Sequence, residues 1–348
     1  MNENKLEEVI IRPAEIEDED RIIEFLREHW IIKNHVFTRR RDLFENCHLI
    51  DGRITYLLAE GKDTGTLYGI YGYSYNNADF TKPDISAVIF QTLKSPNPSL
   101  GIEMVLELQK ITNCRVLFCP GIVKKTRGLY QYLGYQTGTM KHYYRLNDLA
   151  EYKIAVVNNK NIIFKEETEP FTLKRMSSLE KIKEKFKFSD YKHIVPYRDA
   201  WSVEHRYFKN IGYQYIIYGI FDLTDTCRAL VVGREIECIG SRVFKIVDFI
   251  GEDTAFGHCY QGIDSLLKEN EYEYIDFYEV GIKDSIMADA GFTLRDPADT
   301  NIIPNYFEPF EQRNVDIYYF TTVTENFHTF RTDSGQDRPN FIEEIGEE

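Results

Sequence analysis

Two segments of this chain end alike. Leu133-Gly134-Tyr135 and Ala290-Gly291-Phe292 each set a glycine between a helical stretch and an aromatic residue, and the two glycines are 157 residues apart. A glycine in that place stops a helix, because it enters left-handed backbone without a Cβ clash. Ahead of each stop lies the same order of pattern. In the first half, helical spacing over 99–112 (Leu100, Met104, Val105, Leu108) is followed by a short apolar strand at 115–119 and a helix at 124–133. The second half gives an apolar strand at 243–250, a helix at 254–270, a strand at 274–278 and a helix at 283–290. The same interval carries Leu117 onto Tyr274. A chain with this repeat is a tandem of one mixed α/β unit.

The first unit opens on a strand at 9–12 and an amphipathic helix at 15–30, with Ile22, Ile23, Phe25, Leu26 and Trp30 on one face. Aromatic and β-branched runs at 54–59, 67–75 and 85–93, separated by turn residues, read as successive strands, and a strand at 139–146 closes the unit. The expected division is a first domain over 1–150, a second over 151–330, and a mobile acidic tail over 331–348 that ends Glu343-Glu344-Ile345-Gly346-Glu347-Glu348. The fold class is mixed α/β, each domain a twisted mixed sheet flanked by helices.

Charge narrows the partners. Forty-two Lys and Arg against 56 Asp and Glu give a net charge of −14, which disfavours the phosphate contacts of a general nucleic-acid binder. No run reaches the ~18 apolar residues of a membrane span, and the first residues lack the basic start and apolar stretch of a signal peptide. The six cysteines form no C-x-x-C pair and the eight histidines do not join them at finger-like spacing, so reduced thiols, no metal and a cytoplasmic location are expected. The expected partner is a small molecule, with neither nucleic acid nor membrane; the sequence does not fix the oligomeric state.

The segment Leu129-Tyr130-Gln131-Tyr132-Leu133-Gly134-Tyr135, a helix with a tyrosine shortly before a Leu-Gly-aromatic stop, resembles the end of the GNAT acyltransferase domain. The resemblance covers about residues 9–146, and the second half is similar to a diverged copy. It implies an acyl-coenzyme A co-substrate, acetyl-coenzyme A first, and an amine acceptor. Tyr130 then stands where the family has its proton donor, and a tyrosine with pKa near 10 stays protonated to meet a departing thiolate. The plain alternative is a helix aromatic packed on the sheet.

The resemblance also implies a pyrophosphate loop, here Leu93, Lys94, Ser99, Leu100 and Gly101, at the start of the 99–112 helix. Lys94 adds charge and Gly101 gives room, but Pro96 and Pro98 lack N–H donors. On the acceptor side, the resemblance implies a pocket lined by His29 and Trp30, with His35 as a candidate base. Arg198 and Arg206, in a polar-aromatic cluster with Trp201, His205 and Tyr207, would suit a sugar diphosphate through bidentate contacts, or form a solvated helix face. In the second half the equivalent loop carries Glu252 and Asp253, which repel a pyrophosphate, and Met287 stands at the interval from Tyr130, so that copy reads as catalytically silent. The chain is also similar to acyltransferase-like proteins of bacterial surface-glycan synthesis, which implies an amino-sugar acceptor. Two other readings stand beside this one: a degenerate, non-catalytic ligand binder or scaffold, and a Fem-like aminoacyl transferase, for which the net charge makes tRNA an awkward partner.

Overall fold

The computed structural model describes residues 7–30, 35–166, 170–298 and 300–339. The first unit contributes strands β1 (Val9–Pro13), β2 (Tyr56–Gly61), β3 (Leu67–Tyr75), β4 (Asp84–Thr92), β5 (Val116–Ile122), β6 (Gln136–Thr139) and β7 (Lys141–Leu146). The second contributes β8 (Thr172–Arg175), β9 (Ile216–Phe221), β10 (Cys227–Cys238), β11 (Ser241–Gly251), β12 (Tyr274–Val280), β13 (Thr293–Leu294) and β14 (Tyr318–Thr321), followed by a short β15 (Thr329–Phe330). The helices used below are α1 (Glu19–His29), α2 (Arg41–His48), α3 (Leu100–Thr112), α4 (Arg127–Tyr132), α5 (Asp253–Gly257), α6 (Tyr260–Glu269) and α7 (Asp284–Asp289).

Both sheets have the same plan. One runs β1-β2-β3-β4-β5-β14-β6 and the other β8-β9-β10-β11-β12-β7-β13. In each, all neighbours are antiparallel except one parallel pair, β4 with β5 and β11 with β12. The last strand of each unit lies in the other unit's sheet: β7 sits between β12 and β13, and β14 between β5 and β6. The expected closing strand at 139–146 is therefore broken at Met140, and only its first part stays with its own unit. A boundary at 150 does not separate the sheets, since backbone pairing crosses it both ways.

The interval of 157 residues holds in three dimensions. It carries α4 onto α7, and the capping residues Leu133 and Ala290 share φ −74° and ψ 0°. Gly134 and Gly291 follow at φ +80° and +82°, in left-handed backbone. Tyr130 and Met287 occupy corresponding buried places. The anticipated 254–270 helix is two helices, α5 and α6. Core packing follows the apolar spacing: Leu100, Met104, Val105 and Leu108 of α3 are buried against Leu57, Tyr71 and Ile85 of the first sheet. Phe256, Ile263 and Leu267 pack with Phe277 in the second. None of the six cysteines forms a disulfide, and Cys119, Cys227 and Cys259 are buried.

In both sheets the parallel ladder is short. It holds at Asp84–Val116 to Ser86–Phe118 in one and Phe244–Ile275 to Ile246–Phe277 in the other, after which the strands splay. The segment 327–339 runs through both openings. β15 pairs with the end of β12, and Thr332 N–H donates to Val247 O at 3.1 Å in the second splay. The turn Asp333–Gly335 then packs between β4 and β5 in the first, with Gly335 against Val88 and Gln336 against Gly121. The tail expected to be mobile from 331 is thus built into the interior through 339. Arg331, Asp333, Ser334 and Asp337 are all buried; residues 340–348 lie outside the described residues. Charge complementarity holds this stretch inside, which a polar composition does not reveal.

Candidate functional site

A pocket lies between the units, where the first splay opens. It encloses about 840 Å³, part of it open to solvent. One wall comes from α2 and from Ser74, Tyr75 and Val88; the other comes from Trp201, His205, Arg206 and Tyr213, with Ser334 to Pro339 as its floor.

The floor is anchored by ion pairs. Arg198 donates to Asp248 at 3.0 Å and to Asp333 at 2.7 Å, and Arg206 donates to Asp333 at 2.9 Å and to Asn76 at 2.6 Å. Arg234 donates to both oxygens of Asp337 at 3.0 and 3.1 Å. The two arginines singled out for a sugar diphosphate therefore direct their donors to the protein's own carboxylates, and neither belongs to a solvated helix face. The segment Trp201–Asn210 that carries Arg206 is a four-residue α-turn, Ala200–Val203, running into a π-turn, Glu204–Phe208. Asp199 caps its start by accepting from Ser202 N–H at 2.9 Å. In that turn Trp201 and His205 stack, with ring centroids 5.2 Å apart.

The histidines around the pocket are neutral. His35 is 3% exposed, accepts from Phe37 N–H at 3.3 Å through Nδ1, and meets Trp30 and Phe37 edge-on. Burial, with Arg338 nearby, pushes its pKa down to about 2, so it sits behind Phe37 as a buried packing group rather than an open base. Burial likewise pushes His48 down to about 3 and His205 to about 4. His29 lies outside the pocket, half-exposed beside Glu28 at 3.3 Å, and Trp30 is partly buried against the core of the first unit.

Tyr130 is 4% exposed, its ring stacked on Phe320 of β14 with centroids 3.9 Å apart. Burial raises its hydroxyl pKa, and Cys119 of β5 is close by. It borders the first splay from below and does not line the pocket. The loop before α3 is internally bonded: Ser99 N–H donates to Asn97 Oδ1 at 2.9 Å and Asn97 N–H to Ser95 Oγ at 3.2 Å. Ser99 makes no side-chain cap. Lys94 is exposed, Leu100 is buried and Leu93 N–H is held by Tyr68 O at 2.7 Å. A Cβ on Gly101 would make one ordinary contact, with Phe90 Cζ at 3.8 Å. In the second half, Asp253 is paired with His328 at 3.0 Å and Glu252 accepts from Thr254 at 2.6 Å.

The structure brings together Arg198, Arg206 and, through Arg338, His35; Tyr130 and the 93–101 loop lie apart from them. Sequence reasoning missed Asp333, which anchors the pocket floor, and Asp337 and Arg338, which form part of it. The chain Arg331-Thr-Asp-Ser-Gly-Gln-Asp-Arg-Pro339 has no apolar periodicity, and the one signal in it is its alternation of basic and acidic residues. Among the described residues, no group of three or more His, Cys, Asp or Glu is placed to hold a metal ion, and no helix is long and apolar enough to cross a membrane.

No family model and no curated protein matches the sequence. Solved structures do match in fold. A GCN5-related N-acetyltransferase from Anabaena variabilis aligns over 90% of this chain and 72% of its own, with TM-score 0.53 and 10% identity. A conserved protein of unknown function from Enterococcus faecalis, a probable N-acyltransferase, aligns over 92% of this chain and 73% of its own, with TM-score 0.51 and 12% identity. The chain therefore has the fold of the GCN5-related N-acetyltransferases, over most of its length.

Proposed function

We propose that the chain is an acyl-coenzyme A-dependent N-acyltransferase, acetyl-coenzyme A being the first donor to test, that acts on a small amine bound between its two units. The observation that carries this reading is the pocket itself, which opens at Val88 where the parallel pair β4–β5 splays. A fold alone does not fix chemistry; here the cleft meets the sheet where the strands part, with the 333–335 turn packed in the opening.

In this reading the neutral amine attacks the thioester carbonyl directly and the carbon–sulfur bond breaks. The departing thiolate takes a proton from a side-chain donor, and the proton the amine sheds passes to solvent, from which the donor is reprotonated. Tyr130 is the proposed donor: burial keeps its hydroxyl protonated, and it borders the splay. Lys94 and the open face of Gly101 receive the nucleotide end. Asn97 and Ser99 contribute no free amide to it, so charge and space carry that contact. The second unit serves as structure and as one wall of the acceptor pocket. An amino sugar as acceptor rests on resemblance alone; since Arg206 is already committed to Asp333 and Asn76, a sugar diphosphate would need other donors.

One observation favours a second reading. Ser334 and Gly335 lie inside the first splay, so an acyl arm reaches it only if this turn shifts. A chain that keeps the turn in place would bind a ligand in the pocket without transferring anything.

Calorimetric titration with acetyl-coenzyme A separates the two. Saturable binding at one site, lost in Gly101→Glu, supports the transferase. No binding at millimolar donor, with the pocket still taking a ligand, favours the second reading.

A further inference from the structure

Arg338 stands out among the buried cations. Arg198, Arg206 and Arg234 each face a carboxylate, but Arg338 has none. Its Nε and Nη1 are buried without a hydrogen-bond partner among the described residues, and the residue lines the pocket. The guanidinium lies over the Phe37 ring, 5.3 Å from its centroid, and folds back against Gly335. Its sequence neighbour Asp337 cannot serve it: one oxygen of that carboxylate is shared by Arg234 and Arg331, the other by Arg234 and the Tyr215 hydroxyl.

The groups around it are orphaned too. His35 Nε2 and the Tyr56 hydroxyl are buried without hydrogen-bond partners among the described residues. Cys47 and His48 line the pocket with Arg338, and His35 and Tyr56 are buried behind that lining: Arg338 acts on the charge of all four, and His48 and Tyr56 touch with ring centroids 4.8 Å apart. Burying a guanidinium with no counter-charge is costly, and so is each unmet donor. Desolvation accordingly lowers the pKa of Arg338 from its usual value, the response of a cation that lacks a counter-ion. Among the described residues, Asp337 is the one carboxylate that lines this pocket. An anion arriving from solvent is what this end of the pocket is short of.

We propose that the pocket between the units binds its ligand through an anionic group, a carboxylate or a phosphate, seated on the guanidinium of Arg338. The aromatic side chains of Phe37, Tyr75, Trp201 and Tyr213 surround the remainder of the ligand. A guanidinium fork matches the two oxygens of either anion, which a lysine does not. This inference concerns binding at the pocket and does not depend on whether acyl transfer occurs; if transfer does occur, it makes the acceptor an amine that also carries a negative charge.

The test is calorimetry on the full chain with three aromatic probes: benzoate, phenyl phosphate and neutral benzyl alcohol. At least one of the two anions is expected to bind saturably while the alcohol does not. Which anion binds better identifies the carboxylate or the phosphate as the natural group. Charged hydrogen bonds of this kind are worth ~10- to 100-fold in affinity, so Arg338→Met, which keeps the apolar stem, should weaken binding by about that factor. Arg338→Lys should restore part of it. In the absence of ligand, Arg338→Met should unfold at the same temperature as the parent or higher, because it removes an unpaired buried charge. No saturable binding of either anion by about 10 mM, a limit near 3 kcal/mol of affinity, would overturn the proposal. Equal binding of the neutral alcohol, or unchanged anion binding in Arg338→Met, would overturn it as well.

Discussion

Arg198 and Asp333 are 135 residues apart in sequence and meet at 2.7 Å with both side chains out of solvent. Arg206 closes on the same carboxylate, so one aspartate compensates two buried guanidinium groups and holds the 327–339 segment inside both splays. Asp333→Asn keeps the shape and removes the charge. Breaking a buried pair of this kind costs about 3–5 kcal/mol, and a urea denaturation series should show a loss of that size. A loss under ~1 kcal/mol would mean that the arginines find other compensation.

Acid should destabilise the protein earlier than its carboxylates alone require. His35 and His48 are buried neutral, with pKa pushed to about 2 and about 3 from an ordinary 6.5. For a group depressed on folding, the unfolded chain takes the proton first, so stability is lost as pH falls below the unfolded value. The slope is about 1.4 kcal/mol per pH unit for each such histidine between pH ~6 and ~3.5. Melting temperatures taken from pH 7.5 to pH 5 should already fall in the lower part of that range, and His48→Gln should flatten the fall.

Two glycines of one helix should respond in opposite directions. Gly128 is helical, with nothing within 4 Å of an added Cβ, so Gly128→Ala should stabilise by ~0.5–1 kcal/mol. Gly134 also faces open space, but at φ +80°, and Gly134→Ala should cost about 1 kcal/mol. Thermal melts of the two variants decide the point, since neither change creates a contact.

Tyr130→Phe separates structure from chemistry. The hydroxyl has no hydrogen-bond partner among the described residues, and the ring stack on Phe320 survives the change. Stability should stay within about 0.5 kcal/mol. If Tyr130 protonates the departing thiolate, turnover should drop by about 10²–10⁴-fold. Unchanged turnover would return Tyr130 to the core as an ordinary aromatic.

What the sequence made legible was local. The stops at Gly134 and Gly291, the apolar spacing of α3 and the alternating runs of β3 and β11 are each fixed by neighbours a few residues away, and each appears where its pattern placed it. What stayed hidden was long-range. Nothing in residues 141–146 says that they pair with 274–279, because a strand's own pattern does not name its partner. The pocket floor was hidden for a different reason. Asp333, Asp337 and Arg338 are polar, and polar residues late in a chain read as solvated until the arginines that bury them are seen, 100 residues or more upstream. The candidate site was legible in its arginines, Arg198 and Arg206, but not in what they hold.

The exchange of β7 and β14 makes inheritance joint. A chain cut at residue 150 would leave each fragment with the other's strand, a gap between β5 and β6 in one sheet and between β12 and β13 in the other. Each fragment would lack an interior strand of its sheet, and a gene rearrangement that dropped one unit would take a strand from the other. The second unit is therefore tied to the first by the strand it lends: what holds it in the chain is the first unit's sheet, independent of any chemistry of its own.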